Sequence, residues 1–225
     1  VKRTVPGAFS ASETFDVGNL YYGGHECLVV FDDVFVPWER VFMYREYEFA
    51  AELVEKFASY HRQSYACKCG MGDVLIGATQ TIAEYNGIAD VPHVRDKIVE
   101  MTHLNETIFC CSLACAYEGA VQPSGTYYVN SLMANITKLH VTRVPYELAR
   151  MAHEIAGGIV VTIPSEKDLR QPVTGKWLEK YMKGVPSVPA EDRMRILRLI
   201  EGLTLGMGAV CYLPESMHGA GSPQA

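Results

Sequence analysis

The sequence predicts a mainly α protein: an antiparallel helical bundle preceded by the closing strands of a β-domain. Three observations carry this. From Glu46 onward, apolar residues recur three and four positions apart in long runs, the signature of amphipathic helices. Short Gly and Pro stops divide those runs, as suits antiparallel neighbours in a bundle. Earlier in the chain, CLVVF at 27–31 and VFVPWERVF at 34–42 are short runs rich in Val, Phe and Trp, as in strands. The expected organisation is residues 1–46 as the end of a β-domain and residues 47–225 as a C-terminal helical bundle.

Asp32 and Asp33 supply turn chemistry between the two apolar runs, and Pro37, lacking a backbone donor, ends a strand or sits on an edge. Two or three strands alone are marginal, so the rest of their sheet is not obvious in this chain. The first helical run carries Phe49, Leu53, Phe57 and Tyr60, then Val74, Ile76, Thr79 and Ile82, and stops at Asn86 and Gly87. A second helix fits Pro92 to Glu118, with Pro92 in the first turn and one stripe through Ile98, Met101, Leu104 or Asn105, Ile108, Cys111 and Cys115. Pro123, Ser124 and Gly125 break the chain. The third run carries Leu132, Ile136, Leu139, Leu148, Met151 and Ile155; Pro145 kinks or splits it, and Gly157 and Gly158 end it. A proline-marked loop with one short helix near Trp177 to Met182 precedes a last helix from Ala190 to about Leu205.

Composition narrows the function. The 225 residues carry a formal net charge of −6, which excludes an electrostatic nucleic-acid binder. With 48% hydrophobic and 20% charged residues the chain is neither disordered nor collagen-like. It has no apolar run of the roughly 18 residues a membrane span needs and no secretory leader pattern, so a soluble, cytoplasmic protein is expected. Seven cysteines at irregular spacing argue for reduced thiols rather than a disulfide scaffold. A start on Val1 and a finish inside a polar, glycine-rich run suggest a piece of a longer polypeptide.

The densest chemistry is HRQSYACKCG at 61–70. On a helix His61 and Tyr65 share a face and Tyr65 neighbours Lys68, which groups a base, a hydroxyl and a cation. His61 with Cys67 or Cys69 offers nitrogen and thiolate ligands of the kind used by zinc and iron–sulfur centres. The structural alternative makes His61 a satisfied core histidine and the two cysteines small buried apolar residues. Cys110, Cys111 and Cys115 look like a metal motif, but the last two continue the apolar stripe and are read as core. In HEIAGGIVV, Gly157 and Gly158 let backbone approach a phosphate, or simply cap a helix. Glu215 and His218 lie in a glycine-rich stretch suited to a carboxylate base or to a connector, and Glu26 stands at the mouth of the CLVVF strand.

Taken together, HRQSYACKCGMGDVLIGA, GHECLVVFDDVFVPWERVF, HEIAGGIVVTIPSEKDLRQP and ESMHGAGSPQA resemble the 4-hydroxybutyryl-CoA dehydratase/vinylacetyl-CoA Δ-isomerase branch of the 4-hydroxyphenylacetate 3-hydroxylase family, over a C-terminal half. VFDDVFVPWE also resembles the closing β-domain strands of acyl-CoA dehydrogenases, which implies an acyl-CoA dehydrogenase-like bundle. The resemblance implies FAD, a [4Fe-4S] cluster and an acyl-CoA thioester substrate, with flavin one-electron chemistry acidifying an otherwise inert β-hydrogen. By the same resemblance His61 is an iron ligand, Cys67 a thiolate ligand, Tyr65 a residue lining the substrate site and Glu26 a motif carboxylate; for the chemistry this implies, His61 is the candidate base, Tyr65 and Lys68 the candidate donors, and Glu26 or Glu215 the candidate carboxylate. The resemblance further implies that Gly157 and Gly158 approach the FAD diphosphate of a neighbouring subunit in a homo-oligomer, a tetramer. Two further cysteine ligands belong to the N-terminal half of the polypeptide. The family spaces its ligand His and Cys seven positions apart, whereas here Cys67 is six and Cys69 eight positions after His61; the lysine after Cys67 favours Cys67. Two other readings stay open: a flavin-dependent aromatic monooxygenase, and a non-catalytic oligomerising helical piece.

Overall fold

The computed structural model describes residues 15–24 and 27–221. Glu26 lies outside the described residues. After a short helix α1 (Val17–Tyr21), an extended segment with 3₁₀ turns at Trp38–Arg40 and Tyr47–Phe49 leads into α2 (Ala50–Ser64). A 3₁₀ turn at Tyr65–Cys67 joins α2 to α3 (Lys68–Tyr85), followed by α4 (Pro92–Tyr117) and a small antiparallel hairpin of β1 (Ala120–Val121) and β2 (Tyr127–Tyr128). Then come α5 (Ser131–Val141), α6 (Val144–Ala156), α7 (Glu166–Arg170), α8 (Pro172–Tyr181), α9 (Ala190–Thr204), α10 (Met207–Tyr212) and α11 (Pro214–His218).

The helical bundle is present as the periodicity demands. α3 is the central helix, packed on α4, α6 and α9, while α5 closes against α2 and α4. Leu75 and Ile82, Met101 and Ile108, Leu148, and Met194, Leu197 and Ile200 bring one apolar stripe from each of α3, α4, α6 and α9 into a common core. Pro92 and Pro145 both stand in a helix first turn, where a missing N–H costs nothing, so Pro145 splits the third run into α5 and α6. Among the described residues no single helix is long and apolar enough to cross a membrane. The bent pair formed by α9 with α10–α11 has the composition, but Met194, Leu197, Ile200 and Leu203 of α9 and Tyr212 of α10 are buried in this core.

Four local expectations change. Residues 28–46 are extended yet pair with no strand among the described residues, and Leu28, Phe31, Phe35 and Phe42 are exposed. A strand needs a neighbouring strand to pair with its N–H and C=O groups, and the two-stranded sheet among the described residues is formed by β1 and β2 alone. The α2 stripe of Phe49, Leu53, Phe57 and Tyr60 faces outward, and Ala58, Ser59 and Arg62 are buried instead. On α5 the buried face is Ala134, Thr137, Lys138 and Val141, with Leu132 exposed. Finally, Glu215 and His218 stand on α11, a helical turn opened by Pro214, rather than in a loop. Of the three cysteines read from α4, Cys115 is buried, Cys111 partly so and Cys110 exposed.

Candidate functional site

The 61–70 cluster falls where α2 passes into α3 through the 3₁₀ turn. A tightened turn inside a long helical run re-aims the side chains on either side of it. His61, in the last turn of α2, has its ring between those of Phe57 and Tyr65, with centroids 5.2 Å from each. Its Nδ1 is buried and has no hydrogen-bond partner among the described residues. Tyr65 opens the 3₁₀ turn and is buried. Its hydroxyl donates to Glu215 Oε1 at 3.4 Å, and Lys68, the first residue of α3, places Nζ 2.5 Å from Glu215 Oε2. Four of the residues nominated from sequence thus meet in one place, although Glu215 is 150 positions from Tyr65.

Gly219 explains how Tyr65 fits. A β-carbon there would overlap the Tyr65 hydroxyl, so the turn after α11 closes over the phenol only as glycine.

Two residues of the cluster escaped the sequence reading. Arg62 donates through Nε to the Ala220 carbonyl at 3.1 Å and through a terminal nitrogen to Asn135 Oδ1 at 2.6 Å. Lys138 is wholly buried; its ammonium sits 4.3 Å from the centroid of the Tyr65 ring and donates to the Ser216 carbonyl. Burial pushes Lys138 down to about 8, only partly offset by Glu215, while Lys68 and Arg62 lower it further. The fold therefore disfavours its charged form, and stability rises as pH climbs from about 8 toward 10.5. The available signal was the i, i+3, i+4, i+7 stripe Ala134, Thr137, Lys138, Val141, which places a lysine on a helix face otherwise made of small residues.

The two candidate thiols differ. Cys67 is exposed at the end of the 3₁₀ turn. Cys69 is buried, its thiol 3.5 Å from the Asn105 carbonyl, and burial pushes it up to about 12. Among the described residues no three His, Cys, Asp or Glu side chains group to hold a metal ion. The unsatisfied His61 nitrogen and the exposed Cys67 thiol are nonetheless donors of the right chemistry for part of a centre completed by other ligands.

Gly157 and Gly158 end α6, an element that contributes none of these contacts. Gly157, at φ 80° and ψ 172°, is in a region open essentially to glycine; Gly158 is not, and a β-carbon there meets nothing within 4 Å. Gly157 therefore has a conformational reason to be glycine within this chain, and Gly158 has no steric one.

Comparison with known proteins gives this geometry its context. The family pattern described as 4-hydroxyphenylacetate 3-hydroxylase C terminal matches residues 50–225, and the corresponding N-terminal pattern matches residues 2–43. The chain is 50% identical, over 93% of its length, to the 4-hydroxybutyryl-CoA dehydratase/vinylacetyl-CoA-Δ-isomerase of Clostridium aminobutyricum, and spans 45% of that protein. It superposes with a TM-score of 0.91 on an oxygen-tolerant archaeal 4-hydroxybutyryl-CoA dehydratase from N. maritimus, at 57% identity, covering 95% of this chain and 43% of that one. A second solved structure, the oxygenase component of 4-hydroxyphenylacetate 3-monooxygenase complexed with FAD and 4-hydroxyphenylacetate, is 26% identical with a TM-score of 0.77, over 87% of this chain and 41% of that one. The helical architecture and these matches together place the chain in the 4-hydroxyphenylacetate 3-hydroxylase family.

Proposed function

We propose that this chain is the C-terminal portion of an enzyme that uses FAD and a [4Fe-4S] cluster to dehydrate 4-hydroxybutyryl-CoA to crotonyl-CoA and to isomerise vinylacetyl-CoA. The observation that carries the reading is the buried His61 nitrogen with no partner among the described residues, its ring tilted against Tyr65 and beside the Glu215–Lys68 pair. Its background is the likeness to two 4-hydroxybutyryl-CoA dehydratases. In this reading residues 1–46 complete a β-domain supplied by the rest of the polypeptide, which would cover the exposed apolar side chains at 28–42.

When bound, FAD supplies the one-electron chemistry that makes the β-hydrogen acidic, and the cluster supplies Lewis acidity toward the departing hydroxyl. His61 and Cys67 would contribute the nitrogen and thiolate ligands, with the remaining cysteines outside this chain. The ring nitrogen of His61 not committed to the metal receives the α-proton. Glu215, held by Lys68 and by the Tyr65 hydroxyl, is the carboxylate placed to accept a second proton, with Glu26 as its expected counterpart. Tyr65 and Lys68 hold donors toward negative charge developing on the substrate. The exposed apolar faces of α2 and α5 suit burial in a homo-oligomer.

Anaerobic purification of the complete polypeptide, with FAD, iron and sulfide quantified beside a 4-hydroxybutyryl-CoA assay, tests the reading. FAD and a four-iron cluster with crotonyl-CoA formation are expected. FAD without iron, accompanied by hydroxylation of a phenol, would replace the proposal by a monooxygenase. A folded protein binding neither cofactor would point to the non-catalytic oligomerising reading.

The glycine pair supports a separate test. Gly157→Ala should cost about 1–3 kcal/mol of stability, because alanine is forced into a glycine region. Gly158→Val should leave thermal stability nearly unchanged and weaken FAD binding in the oligomer, since the space it fills is open within the chain. Unchanged FAD affinity in Gly158→Val would confine the pair to capping α6.

A further inference from the structure

Lys138 is an anomaly on physical grounds. It occupies a core-facing position of α5 and is 0% exposed, yet no carboxylate among the described residues lies within ion-pair distance of its ammonium. A methionine or leucine would fill the same space without the cost of desolvating a charge. What the ammonium does instead is join two pieces of the site. It rests on the face of the Tyr65 ring, and it donates to the carbonyl of Ser216, the residue after Glu215. Arg62 donates to the carbonyl of Ala220 from the other side of the same chain reversal. Glu215 pairs directly with Lys68, and its charge favours the ammonium of Lys138 where Lys68 and Arg62 oppose it.

We infer that Lys138 is a positioning residue of the proposed dehydratase: it pins α11 and the Tyr65 ring to one point, so that the Tyr65 hydroxyl and the Glu215 carboxylate keep their register. This rests on the function proposed above. Cation and ring quadrupole attract most strongly where water is excluded, as at this buried point. The same positive charge favours electron density moving onto the phenol oxygen as Tyr65 hydrogen-bonds to a reacting group. Neither effect depends on Lys138 touching the substrate.

Lys138→Met, which keeps chain length and loses the charge and the donor, is the test. Three measurements apply to the complete polypeptide: thermal unfolding, steady-state kinetics, and the ¹⁹F resonance of Tyr65 in fluorotyrosine-labelled protein, assigned by its loss in Tyr65→Phe. The melting temperature should not fall, because a buried charge has been removed. The Tyr65 resonance should move. The kcat should drop by roughly 100-fold while KM stays within about threefold, the pattern for an interaction made in the transition state. In a Tyr65→Phe background the same substitution should cost less than threefold, since the hydroxyl it acts through is gone. An unmoved resonance with unchanged kcat would overturn the inference, as would a loss of activity matched by loss of folded protein. If the parent polypeptide fails to dehydrate 4-hydroxybutyryl-CoA but the Tyr65 resonance still moves in Lys138→Met, the proposed function falls and the positioning role stands.

Discussion

Replacing His61 by alanine should remove iron and dehydratase activity together, with kcat down by at least roughly 1,000-fold, while the protein remains folded and binds FAD. The magnitude combines the loss of a general base with the loss of a metal ligand. The fold should survive because His61 is only partly buried and makes no hydrogen bond through Nδ1; truncation leaves Phe57 and Tyr65 to close on each other. Iron and sulfide analysis, visible spectroscopy and turnover on 4-hydroxybutyryl-CoA check this. Full iron content with full turnover in His61→Ala would end both roles proposed for the residue.

The second large effect separates the two thiols. Cys67→Ser should abolish cluster binding and with it dehydration, whereas Cys69→Ser should keep the cluster and lose about 1–3 kcal/mol of stability through a hydroxyl placed in a buried thiol site. The reason is ionisation. A metal ligand must be a thiolate, and Cys69, pushed up to about 12 by burial, is a thiol at neutral pH directed at the Asn105 carbonyl. Cys67 is exposed on the 3₁₀ turn, open to a cluster whose other ligands come from elsewhere in the polypeptide. The family spacing of seven positions lies between the two candidates, so the choice falls to burial rather than to count. Iron loss confined to Cys69→Ser would reverse the assignment.

Much of the fold was legible because helices write their period into the sequence. The stop at Asn86–Gly87, the first-turn Pro92 and the split at Pro145 are local backbone chemistry, and each appears where those residues stand. The proximity of His61, Tyr65 and Lys68 was legible for the same reason, since neighbours three and four apart on a helix meet whatever else the chain does.

Tertiary structure decided the rest, because periodicity shows that a helix has two faces without saying which one is covered. Phe49, Leu53 and Phe57 form a proper stripe, yet α2 turns Ala58, Ser59 and Arg62 inward, and α5 buries Lys138 in preference to Leu132. Small residues let helices approach closely, and larger apolar side chains are left facing outward. The strand-like runs at 28–42, unpaired among the described residues, show the complementary limit: β-propensity describes a surface that fits a sheet, but a strand exists only where another strand offers hydrogen bonds. The meeting of Glu215 with Tyr65 and Lys68 belongs to the same class. By itself the sequence determined the helices, their stops and the local 61–68 face. The place of Glu215, the buried lysine behind the phenol and the unequal burial of the two thiols came from packing, because contacts between distant residues follow from which surfaces are buried together and no local pattern encodes that.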